Sequence, residues 1–228
     1  MKDKVTDIFF DLDHTLWDFE KNSQKAFESI FDDFNVNLSI SDFLEIYSPL
    51  NFKYWKLYRE EKISKELLRY KRLKDTFEAL DFQAEDDFIY WLSDIYIKRL
   101  PQANHLLENA KTVLQYLKPR YTLHIITNGF EEIQEVKLRN THIREFFSKV
   151  VNSEMAGVKK PNPFIFELAL SKANVPPERS VMIGDNLEAD ILGARNVGMH
   201  TIHLNSNKEP LHAHGVIIND LIEIKQYL

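Results

Sequence analysis

The chain contains the stretch Val5-Thr6-Asp7-Ile8-Phe9-Phe10-Asp11-Leu12-Asp13-His14-Thr15. Its first six residues are mainly apolar, and a short apolar run of this kind predicts a buried β-strand. The polar residues Asp11, Asp13 and Thr15 follow where the predicted strand ends. In open α/β sheets, ligands bind at the carboxyl ends of the strands. These three side chains are therefore the first candidates for a functional site.

Asp11 and Asp13 are two residues apart at a point where the chain is already turning, so both carboxylates can face one pocket. Buried carboxylates at close range repel each other unless a cation lies between them or one of them holds a proton. The cation would be Mg²⁺, which prefers oxygen ligands. A proton on Asp13 would make it a general acid, and Asp11 could then attack an electrophile. The alternative is a polar turn that ends the strand and caps the next helix.

Composition limits the classes of protein to which the chain can belong. Its 228 residues allow one large domain or a domain with a smaller one inserted, and 44% hydrophobic residues suffice for a core. The net charge of −6 argues against a general nucleic-acid binder, which would be basic, but allows small anions in a local positive pocket. The absence of cysteine excludes disulfides, zinc–thiolate sites and thiol catalysis. Because neither a secretory signal nor an apolar run of about 20 residues is evident, we expect a cytoplasmic protein without a membrane segment.

The hydrophobic pattern divides the chain into two parts. Residues 18–100 have apolar side chains at helical spacing and no clear strands, which predicts an all-helical domain. Within it, we predict a helix capped by Ser41-Asp42, a chain break at Pro49 and a new helix over residues 51–58.

The remainder of the chain alternates between strand and helix patterns, which together with the first strand predicts an α/β fold with a doubly wound parallel sheet. The predicted core domain comprises residues 1–17 and 101–228. Residues 18–100 would be inserted as a helical cap over the site, because the insertion follows the carboxyl end of the first strand.

Two further polar motifs lie in the α/β part. Thr127-Asn128-Gly129 ends a predicted strand and begins a helix, where a hydroxyl and backbone N–H groups are suited to bind a phosphate. Lys160 precedes Pro161, which keeps the backbone of Lys160 extended, and the ammonium group could neutralise a phosphoryl group. The alternatives are an ordinary strand-to-helix turn and a solvated basic loop.

A third motif is Gly184-Asp185-Asn186-Leu187-Glu188-Ala189-Asp190. Asp185 closes an apolar strand, as Asp11 does, and would bring a third carboxylate to the same edge of the sheet. Three carboxylates at one edge require a cation. Asp190 lies one turn into the next helix, where an acidic residue is stabilising even without a function.

The full set of motifs, in order, resembles the four motifs of the haloacid dehalogenase (HAD) superfamily: Asp11-x-Asp13-x-Thr15, Thr127, Lys160-Pro161 and Gly184-Asp185-x-x-x-x-Asp190. The resemblance extends over the chain from Asp7 to Gly198. It implies a Rossmann-like core with strand order 3-2-1-4-5 and a helical C1-type cap inserted after the first strand.

The resemblance also implies roles for the first and last motifs. Asp11 resembles the nucleophile that receives the phosphoryl group, and Asp13 resembles the general acid and base. The Mg²⁺ ligands of the family correspond to the side chains of Asp11 and Asp185 and to the backbone carbonyl of Asp13. Asp190 resembles a supporting carboxylate, and Asn186 stands where related enzymes often have Asn or Ser, in a position to orient Lys160 or a metal-bound water.

For the middle motifs, Thr127 resembles the hydroxyl that holds a phosphoryl oxygen, with Asn128 and Gly129 supplying backbone N–H groups. Lys160 resembles the residue that balances the charge on the nucleophile and the phosphoryl group. His14 stands where many relatives have glycine, and we expect its side chain to point to solvent; a place at the entrance under the cap is the alternative.

These roles imply a Mg²⁺-dependent phosphatase that hydrolyses a small phosphomonoester through an aspartyl-phosphate intermediate. Asp13 argues against a dehalogenase, because those relatives lack the second acidic residue and need no metal. A phosphomutase and a non-catalytic phospholigand-binding protein are the alternatives. Neither a nucleic-acid polymer nor a membrane is expected as a partner, and the sequence does not distinguish a monomer from a dimer.

The segment from Asp11 to Phe19 and the aromatic residues of the predicted cap resemble the pyrimidine 5′-nucleotidase subgroup. Asn51, Trp55 and Tyr58 are spaced to share one helix face, where an amide could bind a pyrimidine edge and a ring could stack on it. Aromatic residues at this spacing also form helix cores. Sugar phosphates, phosphoglycolate and acylneuraminate 9-phosphate are the other candidate substrates.

Overall fold

The chain folds into two compact units. The structure is a computed structural model that describes residue 2 and residues 4–206 and 208–228. One unit, the α/β unit, comprises the residues up to Phe19 together with Asn104–Leu228, and the other, the helical unit, is Glu20–Ala103. The sequence pattern predicts the two boundaries between these units after residues 17 and 100. Among the described residues, no helix combines the length and the apolar character of a membrane-spanning segment.

The α/β unit is built on a six-stranded parallel sheet with the order β3-β2-β1-β4-β5-β6. The predicted order of the first five strands is confirmed, and β6 extends the sheet beyond β5. The strands are β1 (Asp7–Phe10), β2 (Thr122–Thr127), β3 (Phe147–Asn152), β4 (Ser180–Gly184), β5 (His200–Leu204) and β6 (Val216–Ile218).

The helices of this unit connect successive parallel strands, as a doubly wound sheet requires. Short 3₁₀ segments complete two of these connections, at Arg144–Phe146 and Pro177–Arg179, and another, Leu221–Gln226, follows the last strand. Helices are numbered in chain order, and α1 to α4 belong to the helical unit described below. The helices of the α/β unit are α5 (Ala110–Leu117), α6 (Glu131–Asn140), α7 (Ser153–Ala156), α8 (Pro163–Ala173), a π-helical segment (Leu187–Leu192) and α9 (Gly193–Asn196).

The register of the central strands places the candidate residues at one edge. Phe10, the last residue of β1, pairs with Ile125 on β2 and with Ile183 on β4. β4 ends one residue and β2 two residues beyond these partners, so the three strands end at the same edge of the sheet. On one face of the sheet, Phe9 and Met182 belong to a buried apolar cluster that also includes side chains of α8. This packing holds the strand ends rigid, which a preformed polar site requires.

The helical unit contains four helices and a 3₁₀ turn at Leu100–Gln102, with one continuous helix where the sequence predicts two, before and after Pro49. Its core is mainly aromatic: Phe27 stacks on Tyr96 with ring centroids 4.3 Å apart and meets Phe43 edge to face at 4.8 Å. Such ring pairs contribute about 0.5–1.5 kcal/mol each beyond their buried area. The helices are α1 (Phe19–Phe34), α2 (Ile40–Arg59), α3 (Lys65–Ala79) and α4 (Asp86–Arg99).

The predicted chain break at Pro49 is wrong, because α2 continues through this residue. Its N-cap is Ser39, whose hydroxyl accepts a hydrogen bond from the backbone of Asp42, and not the predicted Ser41-Asp42 pair. Proline in a helix interior removes one hydrogen bond and costs about 3 kcal/mol. Pro49 is exposed, so water can bind the carbonyl that it leaves unpaired. The helix persists because its buried face is continuous on both sides, at Phe43, Tyr47, Asn51, Tyr54 and Tyr58.

Candidate active site

Lys160 and Asp11 form the centre of the polar cluster at the carboxyl edge of the sheet. Lys160 Nζ donates hydrogen bonds to Asp11 Oδ1 at 2.6 Å, to Asp190 Oδ1 at 2.6 Å and to the backbone carbonyl of Ile126 at 2.8 Å. An ammonium group has three N–H donors, so these three acceptors fix its position. Burial disfavours the charged form of Lys160, but Asp11 and Asp190 outweigh this effect and raise its pKa. The buried lysine therefore stays positively charged beside Asp11.

Asn128 explains how a loop lysine reaches this position. Its side-chain oxygen accepts a hydrogen bond from the backbone N–H of Lys160 at 2.8 Å, and its amide donates to the carbonyl of Lys160 at 3.0 Å. The two bonds attach the loop to the end of β2, and the following Lys160–Pro161 peptide is cis. Sequence reasoning assigned Asn128 a backbone role toward phosphate, and its side chain has this second role in holding Lys160.

Asp185 follows β4 and is held on two sides. Thr15 Oγ1 donates to Asp185 Oδ1 at 3.3 Å, and His203 Nε2 on β5 lies 2.9 Å from the backbone carbonyl of Asp185. The side chain of Asn186 caps the next turn by accepting from the N–H of Ala189 at 2.8 Å. Its backbone N–H donates to Asp190 Oδ2 at 3.1 Å. Asn186 thus orients Lys160 only indirectly, through Asp190.

Three buried carboxylates meet in this cluster, with one oxygen each of Asp11, Asp185 and Asp190 lying within 4.8 Å of one another. Burial raises the pKa of Asp11 to about 8, and the charges of Asp190 and Asp185 add to the rise against the opposing effect of Lys160. Burial and the charge of Asp190 raise the pKa of Asp185 to about 8, again opposed by Lys160. One lysine cannot neutralise three carboxylates, so the cluster either retains protons or takes up a cation.

The donor set fits Mg²⁺, which binds carboxylate oxygens and keeps several waters. Asp190 is the least available of the three carboxylates, because Lys160 and the N–H of Asn186 each occupy one of its oxygens. Asp11 and Asp185 remain as the side chains that could hold the ion, as the sequence motifs predict.

Asp13 lies in a separate hydrogen-bonded group that sequence reasoning did not foresee. Lys137 Nζ on α6 donates to Asp13 Oδ1 at 2.6 Å, and Gln134 Nε2 donates to Asp13 Oδ2 at 2.9 Å. The same Gln134 nitrogen lies 2.7 Å from Thr127 Oγ1. Burial acts to raise the pKa of Asp13, but the charge of Lys137 and the two hydrogen bonds lower it below its ordinary value. Asp13 therefore rests as a carboxylate.

A signal for Gln134 and Lys137 is present in the sequence. The two residues are three apart on the face of α6 that also carries the buried side chains of Ile133 and Leu138. A lysine that is only 1% exposed within an apolar helix face needs a carboxylate partner, since an unpaired buried charge is strongly unfavourable. The helix period alone thus pointed to an inward lysine, and the identity of its partner required the structure.

The family model of haloacid dehalogenase-like hydrolases matches residues 8–198 of the sequence. The chain belongs to this family. The family assignment made from the four motifs is confirmed, and with it the prediction that the protein is a hydrolase.

Two relatives and one solved structure resemble this HAD hydrolase over most of its length. Pyrimidine 5′-nucleotidase YjjG of Escherichia coli (strain K12) is 34% identical over 201 residues, covering 88% of this chain and 86% of the relative. A glyceraldehyde 3-phosphate phosphatase of Pyrococcus furiosus is 33% identical over 214 residues, covering 90% and 82%. The structure of the HAD-hydrolase YfnB from Bacillus subtilis bound to magnesium has a TM-score of 0.88 at 25% identity and covers 98% of both chains.

The backbone of His14 accounts for the glycine that many HAD relatives have at this position. Its φ of 62° lies in the left-handed region, where glycine is unstrained and a side chain carries a cost. The His14 ring is half-buried and lies 4.9 Å from the ring of Phe19, so it does not simply point to solvent.

The predicted substrate residues all lie on α2 of the helical unit. The side-chain oxygen of Asn51 accepts a hydrogen bond from Arg72 at 2.9 Å, and both residues are buried. Tyr58 is also buried, whereas Trp55 is half-buried with its ring edge to face with Tyr58 at 5.7 Å. Asn51 thus has a structural partner inside the helical unit, and Trp55 is the most accessible of the three.

Proposed function

We propose that this HAD hydrolase is a Mg²⁺-dependent phosphatase that acts on a pyrimidine nucleoside 5′-monophosphate through an aspartyl-phosphate on Asp11. The observation that carries the proposal is the 2.6 Å contact between the Lys160 ammonium and Asp11 within a cluster of three buried carboxylates. A fixed positive charge beside a carboxylate at a strand end is suited to a nucleophile that must accept a dianionic group.

Asp11, Asp185 and the backbone carbonyl of Asp13 would hold the metal ion. When bound, Mg²⁺ neutralises charge on the carboxylates and on the phosphoryl oxygens. Lys160 and Thr127 would bind the remaining phosphoryl oxygens, the first as a point charge and the second through its hydroxyl.

We infer a two-step reaction in which Asp11 is the nucleophile and Asp13 is the general acid and base. An oxygen of Asp11 attacks phosphorus, the bond from phosphorus to the leaving oxygen breaks with its electron pair on that oxygen, and Asp13 supplies a proton to it. In the second step, Asp13 removes a proton from a water whose oxygen attacks phosphorus. The bond between phosphorus and Asp11 then breaks and releases inorganic phosphate. The resting carboxylate of Asp13 is the form needed in this second step.

For the first step, Asp13 must take up a proton before the leaving oxygen departs. A dianionic phosphate bound beside it raises its pKa by repulsion between like charges, which opposes the effect of Lys137. Substrate binding would therefore convert Asp13 from a base into an acid, and phosphoryl transfer to Asp11 would convert it back.

The pyrimidine nucleotide is supported by the 34% identical relative that is named a pyrimidine 5′-nucleotidase. In the helical unit, Trp55 is half-buried and could present a face of its ring to a base. We also propose that Asn51 and Tyr58 contact the base. The proposed substrate is a small molecule, and the proposed location of the protein is the cytoplasm.

A second candidate substrate is glyceraldehyde 3-phosphate, favoured by the 33% identical phosphatase of Pyrococcus furiosus. The phosphoryl chemistry would be identical, because it depends only on the α/β unit. The two candidates differ in what the helical unit must recognise, a planar base or a three-carbon chain.

A phosphate-release assay distinguishes these possibilities. We expect Mg²⁺-dependent release from uridine or thymidine monophosphate with a kcat/KM at least roughly ten times that for glyceraldehyde 3-phosphate, because one good stacking contact is worth a factor of this size. The Asp11→Asn variant should be folded and inactive on both. The reverse ratio would support the triose phosphate, and activity in excess chelator would refute the metal requirement.

A further inference from the structure

We propose that Gln134 and Lys137 are positioning residues that set the hydrogen-bond directions of Thr127 and Asp13. This inference rests on the proposed phosphatase function, since it assigns Thr127 to a phosphoryl oxygen and Asp13 to the leaving group. Both residues are 1% exposed and lie on α6, outside the four motifs that identify the family.

Gln134 determines which way the Thr127 hydroxyl can point. Thr127 Oγ1 accepts a hydrogen bond from Gln134 Nε2 at 2.7 Å and another from the backbone N–H of Gly129 at 3.1 Å. A hydroxyl oxygen has two lone pairs and one hydrogen. Since both lone pairs are occupied, the Thr127 hydrogen is left to be donated elsewhere, which is the direction needed to bind a phosphoryl oxygen.

The orientation of the Gln134 amide is itself fixed. Its nitrogen faces Asp13 Oδ2 at 2.9 Å, so a flipped amide would place oxygen against a carboxylate oxygen. The Gln134 carbonyl oxygen is buried and has no hydrogen-bond partner among the residues that the structure describes. An unsatisfied buried acceptor is unfavourable. The fold tolerates it here because the other end of the amide is engaged with both Asp13 and Thr127.

Gly129 provides the space for this arrangement. A Cβ atom built on Gly129 would lie 2.0 Å from Gln134 Nε2, a distance at which the amide would have to move. The Gly129 N–H, predicted from the sequence as a donor to phosphate, donates to Thr127 Oγ1 in this structure, and the missing Cβ leaves room for the Gln134 amide.

Lys137 and Gln134 together hold the plane of the Asp13 carboxylate, because each of its oxygens accepts one hydrogen bond from α6. Lys137 is in turn held by the ring of Trp17, whose centroid lies 4.2 Å from Nζ. With both oxygens fixed, the remaining lone pairs of Asp13 point in defined directions. Proton transfer is efficient only within hydrogen-bonding reach and alignment, so loss of this clamp should slow the steps that need a proton.

The leaving group provides the test. Uridine monophosphate has an alkoxide leaving group that needs a proton, whereas p-nitrophenyl phosphate has a phenolate that does not. We expect Lys137→Met to lower phosphoryl transfer from uridine monophosphate by roughly 100-fold, the lower end of general-acid contributions. The first-turnover burst with p-nitrophenyl phosphate should change by less than about tenfold, and Lys137→Arg should restore part of the loss.

Leu138→Ala is the matched control, since Leu138 is a fully buried neighbour on the same helix. It should lower the melting temperature and leave the ratio between the two substrates unchanged. If Lys137→Met lowers the rate of phosphoryl transfer from both substrates equally, Lys137 is only a structural residue and the proposal is overturned.

Binding of inorganic phosphate in the presence of Mg²⁺ tests Gln134 without any turnover. We expect Gln134→Leu to weaken phosphate binding by roughly tenfold, because Thr127 is no longer forced to donate toward the anion. Unchanged phosphate binding in this variant would overturn the proposal for Gln134. A wild-type protein that binds phosphate in this Gln134-dependent manner but hydrolyses neither ester would instead refute the proposed function alone.

Discussion

Removing Mg²⁺ should make the stability of this protein fall as the pH rises. In the metal-free state, burial and repulsion between the carboxylates raise the pKa values of Asp11 and Asp185 from the ordinary 3.8 to about 8. At a pH between 3.8 and about 8, the folded protein therefore binds more protons than the unfolded chain. The free energy of unfolding therefore decreases as the pH rises from about 4 to about 8.

The same protons must leave when the metal ion binds. At a pH below about 8, Mg²⁺ competes with up to two protons, on Asp11 and Asp185. As the pH rises toward this value, the apparent dissociation constant of Mg²⁺ should fall roughly tenfold per pH unit for each proton released. Above this range, Mg²⁺ binding should become independent of pH.

Two measurements check this prediction. The melting temperature in EDTA should decline from pH 6 to pH 8.5, and saturating Mg²⁺ should remove most of the decline. Titration calorimetry in buffers of different ionisation enthalpy should detect protons released on Mg²⁺ binding at pH 7. Asp185→Asn should flatten the pH dependence in EDTA, whereas Glu188→Gln, which removes an exposed carboxylate from the same turn, should not. A metal-free protein whose stability rises over this range would refute the assigned pKa shifts.

Three other substitutions have definite expected outcomes. Gly129→Ala should weaken phosphate binding as Gln134→Leu does, because the added methyl group displaces the Gln134 amide, and phosphate binding equal to that of the wild type would contradict this. Asn51→Ala should lower the melting temperature by several degrees, because Arg72 loses its hydrogen-bond partner, and a thermal scan tests it. Trp55→Ala should raise the KM for uridine monophosphate roughly 5- to 150-fold while sparing p-nitrophenyl phosphate. Equal losses on both substrates would place Trp55 in the helical core.

The fold and the centre of the site could be predicted because their signals are local. Each central strand is an apolar run that ends in a polar residue, and parallel strands bring their carboxyl ends to one edge. Asp11, Thr127 and Asp185 therefore come together as soon as the strand order is known. The placement of Lys160 in the site could be predicted only from the resemblance to a family, since a lysine in a loop has no periodicity that shows where its side chain lies.

Other features could not be predicted because they depend on packing between segments that are distant in sequence. The continuation of α2 through Pro49 results from a buried face that outweighs a local penalty. The left-handed backbone of His14 is not encoded by the residue itself. The pairing of Lys137 with Asp13 joins residues 124 positions apart, and single-sequence patterns do not reveal such partners.

The most direct test of the central claim is to trap the phosphorylated Asp11. In the Asp13→Asn variant, p-nitrophenyl phosphate should still transfer its phosphoryl group, because the phenolate needs no proton, while the water that would release it is no longer activated. Rapid mixing should show a burst of one p-nitrophenolate per protein, and mass spectrometry should find one phosphoryl group on the peptide that contains Asp11. Steady release without a burst and without a phosphorylated peptide, or a phosphoryl group on another residue, would contradict the account.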